Sequence, residues 1–122
     1  MATGRFLAAV IDCSNPISLR AFWQQILGGE VDTRTHAVDW VALSGVPGLG
    51  YIGFQKVPEK KIVKNRLHFD VDVASIEDAV NLAVALGAKK ISTVVEEETN
   101  LFQVMLDPEG NEFCFILRKA NN

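Results

Sequence analysis

The feature that most constrains the fold is a pattern of elements that occurs twice along the chain. An apolar segment leads into a helical stripe that ends at glycine, and three short apolar segments follow; the same order then returns. The two helix ends, at Gly28 and Gly87, lie 59 residues apart, and pairing Gly28 with Ala88 gives 60. An internal repeat of this length predicts two copies of one unit with the order βαβββ.

The first copy begins with a predicted strand at residues 6–13, which are almost all apolar. Asn15 and Pro16 follow, and these residue types favour the N-cap and the first position of a helix. Gly28-Gly29 is typical of its end. The predicted buried stripe has the spacing i, i+3, i+4, i+7 and comprises Leu19, Phe22, Trp23 and Ile26. Strands are predicted around residues 30–34, 39–44 and 50–57, with a turn at 45–48.

The second copy begins with a predicted strand at residues 67–73. Ser75 and Asp78 form a capping-box-like pair at the start of a helix, and residues 86–88 close it. The buried stripe comprises Ile76, Ala79, Val80 and Ala83. Three further strands are predicted at residues 90–95, 101–107 and 112–117.

The length indicates one compact domain. The chain has 122 residues and a mass of 13.4 kDa, which is close to the size of one typical domain. We therefore interpret residues 1–122 as a single domain, with a first module at about 5–57 and a second at about 66–118.

Charge and composition exclude several classes of partner. Twelve basic and fifteen acidic residues give a net charge of −3, and the longest basic run is Lys60-Lys61, which disfavours nucleic-acid binding. No apolar run approaches the about 18 residues of a membrane-spanning helix, and residues 1–6 lack a signal-peptide plan. We expect a soluble cytoplasmic protein. Cys13 and Cys114 form no CxxC pair, which argues against a disulfide framework.

Three segments carry a resemblance to a known superfamily. They are residues 8–13 (Ala-Ala-Val-Ile-Asp-Cys) with Phe22-Trp23 and Leu27-Gly28, residues 67–73 (Leu-His-Phe-Asp-Val-Asp-Val), and residues 107–113 (Asp-Pro-Glu-Gly-Asn-Glu-Phe). Over residues 6–117 the chain resembles the glyoxalase, bleomycin-resistance and extradiol-dioxygenase superfamily, also called vicinal oxygen chelate. Within it, the pattern is closest to the small glyoxalase-like domain proteins.

The resemblance implies an α+β fold of two βαβββ modules whose curled mixed sheets surround a cavity, in a protein that pairs as a homodimer. Metal-dependent members of the superfamily take one ligand from each of four strands. By the helix and tail motifs these positions fall at Ala8, Gly53, His68 and Cys114. Two of the four have no metal-binding side chain, so we expect no metal and no cofactor, and neither glyoxalase I nor dioxygenase activity.

The polar face of each strand marks the residues that are expected to line the cavity. Alternate residues of a strand share a face, so His68, Asp70 and Asp72 lie opposite the apolar set Leu67, Phe69, Val71 and Val73. Applied to the other strands, the same argument predicts a polar cavity set with two aromatic walls. The polar set is Asp12, Gln55, His68, Asp70, Asp72 and Glu112, with Cys114 on the same face as Glu112, and the walls are Trp40 and Phe102.

His68 is the candidate acid or base, because imidazole titrates near neutrality and Asp70 is two residues away on the same face. The alternative is a histidine that is buried or only hydrogen-bonded. Cys114 is interpreted as an apolar filler of the ligand site in preference to a nucleophile. His36, the other histidine, is interpreted as a solvated loop residue.

The ligand-binding residues have alternatives as well. Asp12 either lines the cavity or caps the turn with Ser14, because an isolated buried carboxylate would be costly. Gln55 either contacts a ligand or is simply exposed, and Trp40 is either a wall or part of the core.

Three functions agree with these observations. The first is a metal-independent protein that binds or sequesters a small molecule, with Asp12, Trp40, Gln55, Phe102, Glu112 and Cys114 as ligand contacts. The second is a lyase or isomerase in which His68 moves a proton with help from Asp70. The third is a partner-binding module. The acidic set predicts a neutral or cationic ligand.

Overall fold

The computed structural model describes residues 2–34 and 37–119, so the interpretation of His36 lies outside the described residues. The chain divides into two compact units, residues 1–60 and 61–122. Each unit has one helix and one sheet, which confirms the predicted α+β class and the repeat of one unit. No helix in the described part of the chain has the length and apolar character needed to span a membrane.

The first unit contains a four-stranded sheet in the order β1-β4-β3-β2. Strand β1 pairs with β4 in parallel, and the other pairs are antiparallel. The elements are β1 (Ala9–Cys13), α1 (Pro16–Leu27), β2 (Glu30–Val31), β3 (Trp40–Val46) and β4 (Gly50–Lys56).

Helix α1 starts and ends where local chemistry predicts. The side chain of Asn15 accepts a hydrogen bond from the Ser18 N–H at 3.2 Å, and Pro16 takes the first position. After the helix, Gly29 has a φ of +89°, and a Cβ there would lie 2.8 Å from Val46 Cγ2. This position therefore requires glycine both for its backbone conformation and for its contact with β3.

Strand β3 is longer than expected and its turn is later. The predicted turn at 45–48 is observed at residues 47–49, and the strand continues through Gly45 to Val46. The register between β3 and β4 shifts between Leu43 and Val46. Gly45 lies in this irregularity with a φ of +63°, which glycine adopts without strain.

The core of the first unit lies between α1 and the sheet. Leu19, Phe22 and Trp23 of the predicted stripe are buried, whereas Ile26 is half-buried. Helix α1 packs on β3 and β4. The buried strand residues of the helix-covered face are Val41, Leu43, Ile52 and Phe54.

The second unit contains a five-stranded sheet in the order β5-β9-β8-β6, with β7 also paired to β8. Strand β5 is parallel to β9, and the other pairs are antiparallel. The elements are β5 (Phe69–Asp72), α2 (Ile76–Ala85), β6 (Lys89–Lys90), β7 (Val95–Glu96), β8 (Asn100–Leu106) and β9 (Glu112–Arg118).

The strand expected at residues 90–95 is divided into β6 and β7, which corrects the prediction. Lys90 pairs with Met105, but Val95 pairs with Phe102, so two extra residues are accommodated between them. Gln103 on β8 is 1% exposed, and its Nε2 donates to the carbonyl of Ser92 at 2.6 Å. This side-chain bond links the two strands at the point where the backbone ladder is interrupted.

In the second unit, Ile76, Val80 and Ala83 of the predicted α2 stripe are buried, whereas Ala79 is half-buried. Ser75 Oγ accepts from the Asp78 N–H at 3.1 Å and caps the helix. The buried residues of helix and sheet are Ile76, Val80, Ala83, Val71, Met105, Phe113 and Phe115. Leu67, expected to pack with them, lies before β5 and is 72% exposed. Leu67 does not share the alternation of faces, because the strand begins only at Phe69.

Candidate functional site

The sheet face that α1 leaves uncovered brings three predicted site residues into one row. Asp12 of β1 is the register partner of Gln55 of β4, and Gln55 is the partner of Trp40 of β3. These residues define the open face of the first sheet, because their neighbours Phe54 and Val41 point toward α1 and are buried. The side chains of Asp12 and Gln55 are exposed and make no hydrogen bond to any described residue. Asp12 therefore does not cap the turn at Ser14.

The indole of Trp40 lies directly against the backbone of Gly53 on this face. A Cβ built on Gly53 would be 2.4 Å from Trp40 Cη2 and 2.7 Å from Cζ2. Since real Cβ atoms do not approach so closely, the aromatic ring takes the volume that a side chain at position 53 would need. Trp40 remains half-buried, so part of the indole is available to a bound molecule.

A buried carboxylate that the sequence reasoning did not select lies in the same unit. Asp32 follows β2 and is 5% exposed. Its Oδ1 accepts from Nε of Arg34 at 2.9 Å, and its Oδ2 accepts from Nη2 of Arg34 at 2.9 Å and from the Tyr51 hydroxyl at 3.0 Å. The one sequence feature that pointed to this cluster was a single tyrosine, Tyr51, on the polar face of β4. Nothing in the pattern paired it with Asp32, which is 19 residues away.

These contacts fix the charge state of the cluster. The bidentate Arg34 guanidinium, with the Arg34 backbone N–H, holds the pKa of Asp32 well below its usual range. Burial raises the pKa of Tyr51, and its hydrogen bond to the Asp32 carboxylate raises it further. Asp32 is therefore ionised and Tyr51 neutral at physiological pH.

In the second unit, three polar side chains meet at the junction of β5 and β9. Nε2 of His68 is 3.5 Å from Oδ1 of Asp70. Cys114 is the register partner of Asp70. One donor atom from each of the three lies within 4.8 Å of the others. His68 and Asp70 are 49% and 61% exposed, so the alternative of a buried histidine is not observed.

Cys114 is in a setting that favours the neutral thiol. Burial raises the pKa of Cys114, and the negative charge of Asp70 raises it further, whereas Lys64 acts in the opposite direction. A neutral, half-buried thiol is a poor nucleophile. This agrees with the interpretation of Cys114 as an apolar filler.

Glu112 lies at the start of β9, where its carboxylate already has two partners. Its Oε2 is 3.0 Å from Nζ of Lys61, and its Oε1 accepts from the Asn65 N–H at 2.7 Å. Burial raises the pKa of Glu112, but the hydrogen bonds from Asn65 and Lys61 outweigh it, so the pKa is lowered. The carboxylate holds residues 61–65 against the strand.

Phe102 and Asp72 lie on the same sheet face as Cys114, in the next row. Asp72 of β5 pairs with Ile116 of β9, which pairs with Phe102 of β8. Phe102 is half-buried. Asp72 is bound by Arg118, whose Nη2 is 2.6 Å from Oδ2, so its charge is largely balanced. The open face of the second sheet is therefore apolar at Phe102 and Ile116 and polar at His68 and Asp70.

Comparison with known families identifies the chain. The sequence model of the glyoxalase-like domain matches residues 8–116, which is nearly the whole chain. The protein belongs to the glyoxalase-like domain family. The resemblance noted from the sequence is thereby confirmed. No curated protein matches the chain.

Solved structures share the fold of this glyoxalase-like protein. A glyoxalase/bleomycin resistance protein/dioxygenase family enzyme from Burkholderia phytofirmans PsJN is 26% identical, with a TM-score of 0.74, over 92% of this chain and 97% of that chain. The fosfomycin resistance protein FosX from Listeria monocytogenes is 14% identical, with a TM-score of 0.73, over 98% and 97%. Oxidase ChaP-H2 is 11% identical, with a TM-score of 0.69, over 99% and 98%.

The metal site used by some members of the superfamily fits this glyoxalase-like protein poorly. Of its four positions, Ala8 and Gly53 have no side-chain donor atom, and the Trp40 indole fills the space that a side chain at position 53 would need. His68 and Cys114 keep a nitrogen and a sulfur, and Asp70 adds an oxygen beside them. This trio is a different donor set from the four-strand one.

Proposed function

We propose that this glyoxalase-like protein binds or sequesters a small organic molecule without a metal ion. The observation that carries the proposal is the position of Trp40 on Gly53. The indole presents an aromatic surface on the open face of the first sheet, beside a position at which the resemblance implies a ligand in metal-dependent members. Aromatic side chains contribute large contact areas at ligand sites, and a few polar groups then fix the orientation.

The polar groups beside Trp40 suggest the kind of ligand. Asp12 and Gln55 lie in the same row as the indole. Their side-chain polar atoms make no hydrogen bond to a described residue, so they can bond to a ligand. A carboxylate accepts hydrogen bonds, and an amide both donates and accepts. These groups favour a neutral or cationic molecule with an aromatic or apolar part that packs on Trp40. Phe102, Glu112 and Cys114 stay predicted ligand contacts on the sheet of the second unit.

The experiment begins with native mass spectrometry of the purified full-length protein. The expected species carries no divalent metal in stoichiometric amount. A co-purified small molecule can be present or absent. A Zn²⁺ ion bound in stoichiometric amount, and lost in Cys114→Ser, would contradict the metal-independent proposal and point to the His68, Asp70 and Cys114 trio.

Tryptophan fluorescence gives a direct test of the ligand surface. The chain has two tryptophans, and Trp23 is 1% exposed, so a bound molecule should quench only Trp40. Quinoline-type cations and their neutral analogues are suitable probes, with the matched aromatic carboxylates as controls. Trp40→Phe should abolish the response, whereas Trp23→Phe should preserve it. Equal quenching by the carboxylates would contradict the predicted ligand charge.

A second function is supported by the His68 and Asp70 pair. Their 3.5 Å separation and exposure allow the carboxylate to orient the imidazole while a substrate approaches it. In this alternative the protein is a lyase or isomerase, and His68 takes a proton from the substrate and returns it elsewhere. His68→Ala should then abolish turnover and leave binding intact, and Asp70→Asn should lower turnover less. Binding without turnover in the unaltered protein favours the first function.

We also propose that the two units form one glyoxalase-like domain and that the protein is a cytoplasmic homodimer. Strand β1 is an edge of its sheet. Val10 in this strand, and Phe6 and Leu7 just before it, are exposed apolar side chains. Such an edge favours pairing with another chain. Light scattering after gel filtration should give twice the chain mass, and Val10→Lys should shift it toward the monomer. A monomeric unaltered protein would contradict the dimer.

A further inference from the structure

A cavity of about 310 Å³ lies in the first unit, between the first half of α1 and the edge of the sheet at β2 and β3. It is separate from the row of Asp12, Gln55 and Trp40. Its size falls at the lower end of the range for small-molecule sites, about 300–1,000 Å³. The described residues that line it are Ile17, Arg20, Val31, Asp32, Thr33, Ala37 and Val41.

The walls of this α1 cavity are mostly aliphatic. Ile17 and Val31 are 46% and 39% exposed, although both line a concave surface. Val41 forms the floor and is buried. Two exposed aliphatic side chains on either side of a cavity leave apolar surface that a ligand of matching size would cover.

The charge of the α1 cavity comes from Arg20. No hydrogen bond or ion pair of its side chain is found within residues 2–34 and 37–119. The second charged residue, Asp32, has both carboxylate oxygens occupied by Arg34 and Tyr51. The Asp32–Arg34 pair is therefore neutral as a unit. The Arg20 guanidinium, without a partner among the described residues, gives the described lining one net positive charge.

We propose that the α1 cavity binds a small monocarboxylate with a short apolar chain. The guanidinium of Arg20 would hold the carboxylate, for which its planar fork is well suited. Ile17, Val31 and Val41 would cover the chain. An amine of the same shape would be repelled by the Arg20 guanidinium, and the Asp32 carboxylate oxygens already accept hydrogen bonds from Arg34 and Tyr51. A dianion would have only one cation for its two negative charges.

The inference does not depend on the proposed function, because it concerns the helix-covered side of the sheet. Hexanoate is a suitable probe, with hexylamine and hexanol as controls of equal length and different charge. A ligand of this size should bind with a Kd of about 1 mM. Amide chemical shifts of the full-length ¹⁵N-labelled protein report both the affinity and the place of binding.

The expected result is a saturable change in the amide signals of Ile17, Arg20 and Val31–Thr33, while those of Trp40 and Gln55 stay unchanged. Arg20→Gln should weaken hexanoate binding at least about tenfold, because a charge-assisted hydrogen bond is lost. Arg20→Lys should restore part of it. The matched control is Arg5→Gln, which removes the same charge before β1, at the opposite edge of the sheet from β2. The spectrum of each variant without ligand shows whether it is folded.

Three outcomes would overturn the proposal. One is the absence of any shift at hexanoate concentrations far above the expected Kd. Another is equal binding of hexylamine, which would remove the role of the guanidinium. The third is a set of shifts centred on Trp40 and Gln55, which would place the carboxylate on the open face. Conversely, loss of cationic-probe binding in Trp40→Phe with hexanoate binding intact would show that the two sites are independent.

Discussion

The hydroxyl of Tyr51 donates a hydrogen bond to Oδ2 of Asp32 at 3.0 Å, which ties strand β4 to the segment after β2 across the intervening strand β3. The carboxylate is thereby fixed between a neutral donor and the Arg34 guanidinium. Because Tyr51 is the only tyrosine in the chain, its ionisation can be measured without interference from another phenol.

Tyr51 should ionise above its ordinary pKa of 10.0. Burial disfavours the phenolate, and the negative charge of Asp32 at 3.0 Å disfavours it further. The absorbance at 295 nm, followed against pH, measures the titration directly. The pKa of Tyr51 is higher in the folded than in the unfolded protein. The contribution of Tyr51 to stability is therefore fully present at pH values below the unfolded pKa, and it is lost as the pH rises through the folded pKa.

Asp32→Asn is the variant that separates the two causes of the Tyr51 shift. It removes the negative charge and keeps a side chain of the same shape, so the tyrosine pKa should fall part of the way toward 10.0. The part that remains is due to burial. Denaturation in urea should return the titration to the ordinary value, and a folded protein with an unshifted Tyr51 would contradict the observed hydrogen bond.

Gly53→Ala should displace the Trp40 indole, because the added methyl group would lie 2.4 Å from Cη2. We expect a red-shifted tryptophan emission, stronger quenching by acrylamide, and a decrease of about 1–3 kcal/mol in the free energy of unfolding. The same substitution in a Trp40→Ala background should cost much less, and the double-mutant cycle isolates the contact. Equal costs in both backgrounds would mean that the indole does not occupy this volume.

Glu112→Gln should destabilise the second unit and release residues 61–65. The carboxylate is 12% exposed and holds both Lys61 and the Asn65 N–H, so we expect a loss of about 1–3 kcal/mol in the free energy of unfolding. The pKa of Glu112 is lowered in the fold. Its contribution is thus present above the ordinary value of 4.5 and is lost as the pH falls below it.

Glu59→Gln is the matched control for Glu112→Gln, because Glu59 is an exposed carboxylate without an ion pair among the described residues. Urea denaturation at several pH values gives the stability curve of each variant. The unaltered protein and Glu59→Gln should lose stability in parallel on acidification. Glu112→Gln should show a smaller slope, and a slope equal to that of the control would refute the role of this carboxylate.

The helices could be predicted from the sequence because their ends depend on local chemistry. Asn15 and Pro16 start α1 through contacts within its first turn, and Ser75 caps the first turn of α2 in the same way. The strand faces were also predictable, since alternation placed Asp12 and Gln55 away from the helix, although it did not decide between wall and core for Trp40. Which residues meet across strands depends on register, and register is set by distant pairing. The contact of Trp40 with Gly53 and that of Tyr51 with Asp32 follow only from the structure.

The strand predicted at residues 90–95 is divided, and we predict that this division depends on one buried side-chain amide. Nε2 of Gln103 donates to the carbonyl of Ser92 at 2.6 Å and also lies 3.3 Å from Ser92 Oγ. Gln103→Leu should leave the carbonyl without this donor and cost about 1–3 kcal/mol, with faster amide hydrogen exchange at Ile91 and Val95. Ser92→Ala, which removes the 3.3 Å contact and the exposed hydrogen bond from Ser92 Oγ to the Thr93 carbonyl, should cost clearly less. If both variants have the same stability as the unaltered protein, the amide does not hold the interruption between β6 and β7.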